Sequence, residues 1–146
     1  MIISPSGDSL VSFLGGWQNA LEGDSNSPHR WSTSSVAQIQ TGKISPSIVG
    51  AGRFELTIDA IPFLPKSGPG FQEVILFVDG LLLTSIRFYD ADPKHVAGNL
   101  SLPSNPSPFS ILSFYLPNSI APQKVGEGSD ERQLGIGLKR LEIKFT

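Results

Sequence analysis

The sequence predicts an all-β chain folded as an antiparallel β-sandwich, jelly-roll-like, with about seven or eight strands. Three observations carry this. Apolar residues recur with a period of two. Turn residues are dense: 15 Gly and 12 Pro stand where average usage would give about 17 together. No segment shows the i, i+3, i+4 apolar spacing of an amphipathic helix.

The first apolar stretch is Leu10-Val11-Ser12-Phe13-Leu14, and Gly15-Gly16-Trp17 leads out of it. Val36 to Gln40 and Val96 to Leu102 supply two weaker strands. Arg53 to Ile61 alternates cleanly, with Phe54, Leu56, Ile58 and Ala60 on one face and Arg53, Glu55, Thr57 and Asp59 on the other. Val74 to Val78 is apolar on both faces, which predicts an interior strand. Asp79-Gly80 then separates it from Leu81 to Phe88. Both turn residues tolerate positive φ, so the pair predicts a tight hairpin. Phe109 to Leu116 is a further strand, closed by Pro117. In the last strand Leu134, Ile136 and Leu138 share one parity and Leu141, Ile143 and Phe145 the other. One extra residue at Lys139-Arg140, a β-bulge, would restore the phase. Between strands lie Pro/Gly clusters: Pro62 to Gly70, then Pro103, Pro106 and Pro108, then Pro117 and Pro122. Gly126 to Arg132 is expected to form a single helical turn with Ser129 as its N-cap.

The length is that of one domain, spanning 1–146. A net charge of −2 argues against nucleic acid as a partner, since phosphate binding needs clustered Lys and Arg. The absence of Cys excludes disulfides, thiolate metal sites and a Cys nucleophile. No run approaches 18 apolar residues, so no membrane-spanning helix is expected, and the start lacks the charged region of a signal peptide. The expectation is a cytoplasmic chain or a piece cut from a longer one.

Large aromatics in loops are the departure from a bland sandwich. Trp17 and Trp31 flank one loop, which also holds Glu22, and His29-Arg30-Trp31-Ser32 leads out of it. A second polar cluster, Gly128 to Gly135, precedes the last strand and contains Asp130 and Arg132. An arginine needs a carboxylate partner when partly buried, so Glu22 or Asp130 is expected to clamp Arg132 or Arg30. Two readings use the same residues. In the structural one, both tryptophans cap an end of the core and the Arg–carboxylate pairs pin long loops. In the other, Trp17, Glu22, Arg30, Trp31, Asp130 and Arg132 contact a carbohydrate: indole faces stack on pyranose C–H groups, and planar charged groups read hydroxyls.

Catalytic motifs are sparse. Two distant histidines and no cysteine make a zinc site improbable, and no catalytic residue, cofactor or metal is assigned. Glu22, Glu127, Asp130 and Glu131 offer carboxylates for glycoside hydrolysis, but clustered surface carboxylates are common. Glu22-Gly23-Asp24-Ser25-Asn26 has oxygens suited to calcium without a full calcium-loop spacing. Gly135-x-Gly137 opens a strand, so it is no dinucleotide fingerprint, and Asp90-Ala91-Asp92-Pro93 reads as a turn.

Gly16, Trp17 and Glu22, then Arg30-Trp31-Ser32, then Asp130, Arg132, Leu134-Gly135-Ile136 and the closing Leu138, Leu141 and Ile143 form an ordered set. The set resembles small β-sandwich domains attached to bacterial glycosyltransferases and other surface-polysaccharide biosynthesis proteins. In outline it covers nearly the whole chain. The resemblance implies a non-catalytic accessory module that touches glycan, with a glycosyltransferase as partner on another chain or in a removed portion. The alternatives are a protein-interaction or scaffolding module, using an exposed sheet face or the Leu81-Leu82-Leu83 strand and open to oligomerisation, and a small polysaccharide hydrolase or lyase.

Overall fold

The computed structural model describes residues 1–43, 50–102 and 107–145, with side chains undescribed at 50, 51 and 102. Pro103 and Pro106 lie outside the described residues. Ten strands follow in order: β1 (Ile2–Ile3), β2 (Ser12–Phe13), β3 (Arg30–Trp31), β4 (Val36–Gly42), β5 (Gly50–Pro62), β6 (Gln72–Val78), β7 (Leu81–Phe88), β8 (Lys94–Leu102), β9 (Phe109–Tyr115) and β10 (Ile136–Phe145). All pairings are antiparallel. Sheet one runs β1-β10-β5-β8, with β3 also on β10; sheet two runs β2-β4-β9-β6-β7. The antiparallel sandwich is as the sequence predicts. The strands beyond the expected seven or eight are two-residue pieces, too short to show any period.

The core fills the space between the sheets. Phe54, Leu56, Ile58 and Ala60 of β5 face inward with Ile136, Leu138, Leu141 and Ile143 of β10. Opposite them stand Ala37, Ile39, Val74, Leu76, Leu112 and Phe114 of sheet two. The expected bulge is present: Leu138 pairs with Ala60 and Arg140 with Asp59, leaving Lys139 over. Without it, one half of β10 would turn two large apolar side chains to water, a loss of about 3–6 kcal/mol. Asp79 and Gly80 both take positive φ, 49° and 83°, which matches their tight turn to the strand twist. β6 lies between β9 and β7, as its apolar character predicts.

The outer faces differ. Sheet one carries charge outward, with Glu142 paired to Arg140 and Lys144. Sheet two carries exposed Val36, Leu82, Phe109 and Tyr115. The helical turn expected at Gly126 to Arg132 is absent; a 3₁₀ turn occupies Pro122–Val125 instead. Pro122 starts it with a pre-set φ, and Gly126 ends it in the left-handed region at φ 71°. No helix among the described residues is long and apolar enough to cross a membrane.

Candidate functional site

One end of the sandwich is built around β3. Its two residues pair with β10, Trp31 opposite Gly137 and Arg30 opposite Leu138. Its other edge is held by the chain between Gly16 and Glu22. The Gln18 amide donates to the Trp31 carbonyl at 3.0 Å, and Glu22 and His29 exchange backbone bonds at 2.9 Å. Ser32, fully buried, seals the junction, its Oγ accepting from the backbone N–H groups of Gly135 and Ile136 at 3.2 and 3.0 Å. A Cβ at Gly135 would stand 2.9 Å from that Oγ, so the site admits no larger residue without displacement.

Arg132 is the centre of the polar cluster. Its Nη2 donates to Asp130 Oδ2 at 2.7 Å and its Nη1 to Glu22 Oε1 at 2.8 Å. Its Nε lies 3.1 and 3.2 Å from the two Asp130 oxygens. The Arg132 amide also donates to Asp130 Oδ1 at 3.0 Å. Hydrogen bonding to Asp130 raises the Arg132 pKa above its ordinary value, against the opposing effect of burial. Hydrogen bonding from Arg132 holds the Asp130 carboxyl below the usual carboxylate range. A general acid for glycoside cleavage needs the reverse, a raised pKa, so Asp130 does not fit that role. The cluster ties the loop after Trp17 to the loop before β10. Side-chain exposures of 41% for Glu22, 35% for Arg132 and 31% for Asp130 leave it open to solvent.

Six residues were expected here, and the structure divides them. Glu22, Asp130 and Arg132 converge, and Trp31 joins them through His29. The Trp31 and His29 rings meet edge to face with centroids 5.6 Å apart, and His29 Nε2 is 4.0 Å from Glu22 Oε2. Gly137 lies between the inward-facing Ile136 and Leu138 and thus points outward. Trp31, opposite it, is half-buried on the outer face of sheet one. Trp17 goes the other way. It is 7% exposed, packs edge to face against Phe13 and Phe114 at 5.2 and 5.3 Å, and donates from Nε1 to the Gln38 carbonyl. Its indole offers no ring face for a sugar.

Arg30 has no carboxylate clamp among the described residues. Its Nε donates to the Pro5 carbonyl and its Nη1 to the Gln18 carbonyl, both at 2.7 Å, and its guanidinium sits 4.6 Å from the Phe13 ring centre. Burial lowers its pKa. The expected clamp therefore forms on Arg132 and uses both candidate acids. Sequence reasoning passed over His29 as a neighbour of Trp31 and Gln18 as an organiser, though Gln18 Oε1 accepts from the Trp31 amide at 2.8 Å. Their position beside the two tryptophans was the available signal.

No protein-family model matches the sequence, and no curated protein matches it. Solved structures do share its fold. A family 35 carbohydrate binding module from Clostridium thermocellum gives a TM-score of 0.55 at 9% identity, over 98% of this chain and 97% of that one. The C-terminal CBM6 of LamC, a marine laminarinase from Zobellia galactanivorans, gives 0.54 at 8% identity, over 99% and 98%. The CBM36-1 domain of a multidomain xylanase from the hindgut metagenome of Trinervitermes trinervoides gives 0.51 at 10% identity, over 99% and 95%. At these identities the likeness is one of fold.

Proposed function

We propose that this chain is a non-catalytic carbohydrate-binding module serving polysaccharide biosynthesis, with a glycosyltransferase as its partner. The observation that carries the carbohydrate reading is the match, over nearly the full length of both chains, to sandwiches named as carbohydrate-binding modules. The end around β3 supports it: Trp31 is half-buried on the outer face, beside a solvent-open Arg132–carboxylate cluster. In this reading Trp31, Glu22, Asp130 and Arg132 meet the sugar, while Trp17 and Arg30 hold the scaffold beneath. The link to biosynthesis rests on the ordered motif from Gly16 to Ile143.

The test is tryptophan fluorescence on titration with bacterial surface glycans. Trp17 is sealed in the core, so a change on binding reports Trp31 and disappears in Trp31→Phe. An unchanged spectrum together with no retention on a glycan array would overturn the reading.

One observation favours a second reading, as an interaction module. β7 ends sheet two, and Leu82 on it is exposed. An uncovered edge strand can accept another strand. Light scattering at rising concentration tests this: association lost on Leu82→Lys supports it, and a monomer throughout removes it.

A further inference from the structure

We propose that Phe71, Glu73, Arg87 and Tyr89, on the outer face of sheet two, form a second sugar-contacting site that takes a neutral pyranose with adjacent hydroxyls. The proposal rests on the carbohydrate-binding reading above and adds to it a place and a ligand class.

The placement follows from register. Gln72 pairs with Phe88 and Glu73 with Arg87 in the β6–β7 hairpin. Gln72 and Phe88 are fully buried, so by the period of two their neighbours Phe71, Glu73, Arg87 and Tyr89 stand on the outer face. Tyr89 is 59% exposed, and its ring lies 5.7 Å from that of half-buried Phe71. Tyr89 gives solvent the open ring, tilted 55° to that of Phe71, which backs it.

Opposite charges that face each other across two strands ordinarily pair. Here they do not. The Arg87 guanidinium leans diagonally onto Phe71, 4.3 Å from its ring centre, and among the described residues no group accepts a hydrogen bond from it. Glu73 turns to its other neighbour, accepting from Ser85 Oγ at 3.0 Å. A donor fork and an acceptor are thus left flanking an aromatic surface. Those are the elements a pyranose needs: a ring face for its C–H groups, donors for hydroxyl oxygens and an acceptor for hydroxyl protons.

The backbone on both sides is fixed in advance. Gln72 Nε2 donates to the carbonyls of Phe63 and Asn118 at 2.6 and 3.2 Å, and Asn118 Oδ1 accepts from the Glu73 amide at 3.1 Å. After Tyr89, Asp90 accepts from Lys94 Nζ at 2.7 Å and from the Asp92 amide at 3.0 Å. Little backbone ordering is left for a ligand to impose. The net charge of the four residues is zero. An acidic sugar facing Arg87 would also face Glu73, so the neutral class fits better.

The experiment is calorimetric titration of the full chain with cellohexaose, xylohexaose, laminarihexaose, an oligogalacturonate and an acidic peptide. Tyr89→Ala and Arg87→Ala, both at exposed positions, are each expected to weaken a neutral hexasaccharide about tenfold, with the thermal midpoint nearly unchanged. Arg87→Lys, which keeps charge without the planar fork, should recover little of the loss. Neutral-sugar binding that is unchanged in both variants overturns this site and leaves the carbohydrate reading standing. Wild-type protein that binds none of the neutral sugars overturns this site, and the glycan array then decides the carbohydrate reading separately. Tighter binding of the oligogalacturonate or the peptide than of every neutral probe overturns the ligand class.

Discussion

Trp17 and Trp31 border one loop, yet they do opposite work. Trp17 is sealed between the sheets, with Phe13 and Phe114 at its edges. Trp31 lies on the outside of sheet one, above Gly137 and beside His29. The difference comes from parity on paired strands. Trp31 stands opposite a glycine that points outward; Trp17 bridges to fully buried Ser32 and turns inward. Gly16 makes the inward turn possible. Its φ of 91° suits glycine, and a Cβ there would collide with the backbone of Val36 and Ala37. A residue type that suggests a binding platform is therefore informative only once its face of the sheet is known.

The largest effect that tests this contrast is on Trp17. Trp17→Ala should destabilise the fold by about 3–5 kcal/mol and lower the thermal midpoint by roughly 10 °C, because it opens a cavity the core cannot close. A loss below about 1 kcal/mol in denaturant unfolding would break the comparison. Trp31→Ala should cost only about 1–2 kcal/mol, since part of its surface is already wet, while abolishing glycan-dependent fluorescence change.

Smaller again is the Arg132 cluster. Arg132→Ala leaves Glu22 and Asp130 facing each other without their shared cation, at a cost of about 1 kcal/mol after allowance for solvent screening. Arg132→Lys should not restore the loss, because a single ammonium cannot span both acids in the same geometry. Parity of the Ala variant with wild type would show that the cluster does not pin the loops.

The smallest effect is on pH dependence. Asp130 has a folded pKa below its unfolded value of about 3.9, so its contribution is complete above that value. It is lost as pH falls through the unfolded and then the folded pKa. Asp130→Asn should flatten that part of the acid stability curve below about pH 4, and an unaltered slope there would assign the acid sensitivity to other carboxylates.

Much of the fold was legible because a strand declares itself locally. Alternation from Phe54 to Ala60 names the buried face of β5, and the slip at Lys139 locates the bulge in β10. β1 was not legible as a strand, because two residues carry no period, and the stretch Leu10–Leu14 narrows to the two residues of β2. Asp130 was readable as a partner of Arg132 at a spacing of two, and Glu22, 110 residues away, only as a candidate acid for either arginine. Arg30 misled because its acceptors are the carbonyls of Pro5 and Gln18, which any residue could supply. Phe71 and Tyr89 escaped notice because only the hairpin register sets them side by side.

The strand class, the buried parity of β5 and β10, the Asp79-Gly80 turn and the bulge are all legible in the sequence alone. Each of these is a short-range consequence of side-chain alternation or of allowed backbone angles. Only the tertiary structure decided which indole is inside, which arginine holds the acids and which aromatics share a face. Those outcomes depend on β10 pairing with β3, a contact that closes a long loop, and on the exact register of the β6–β7 hairpin, which shifts between Leu76 and Phe77.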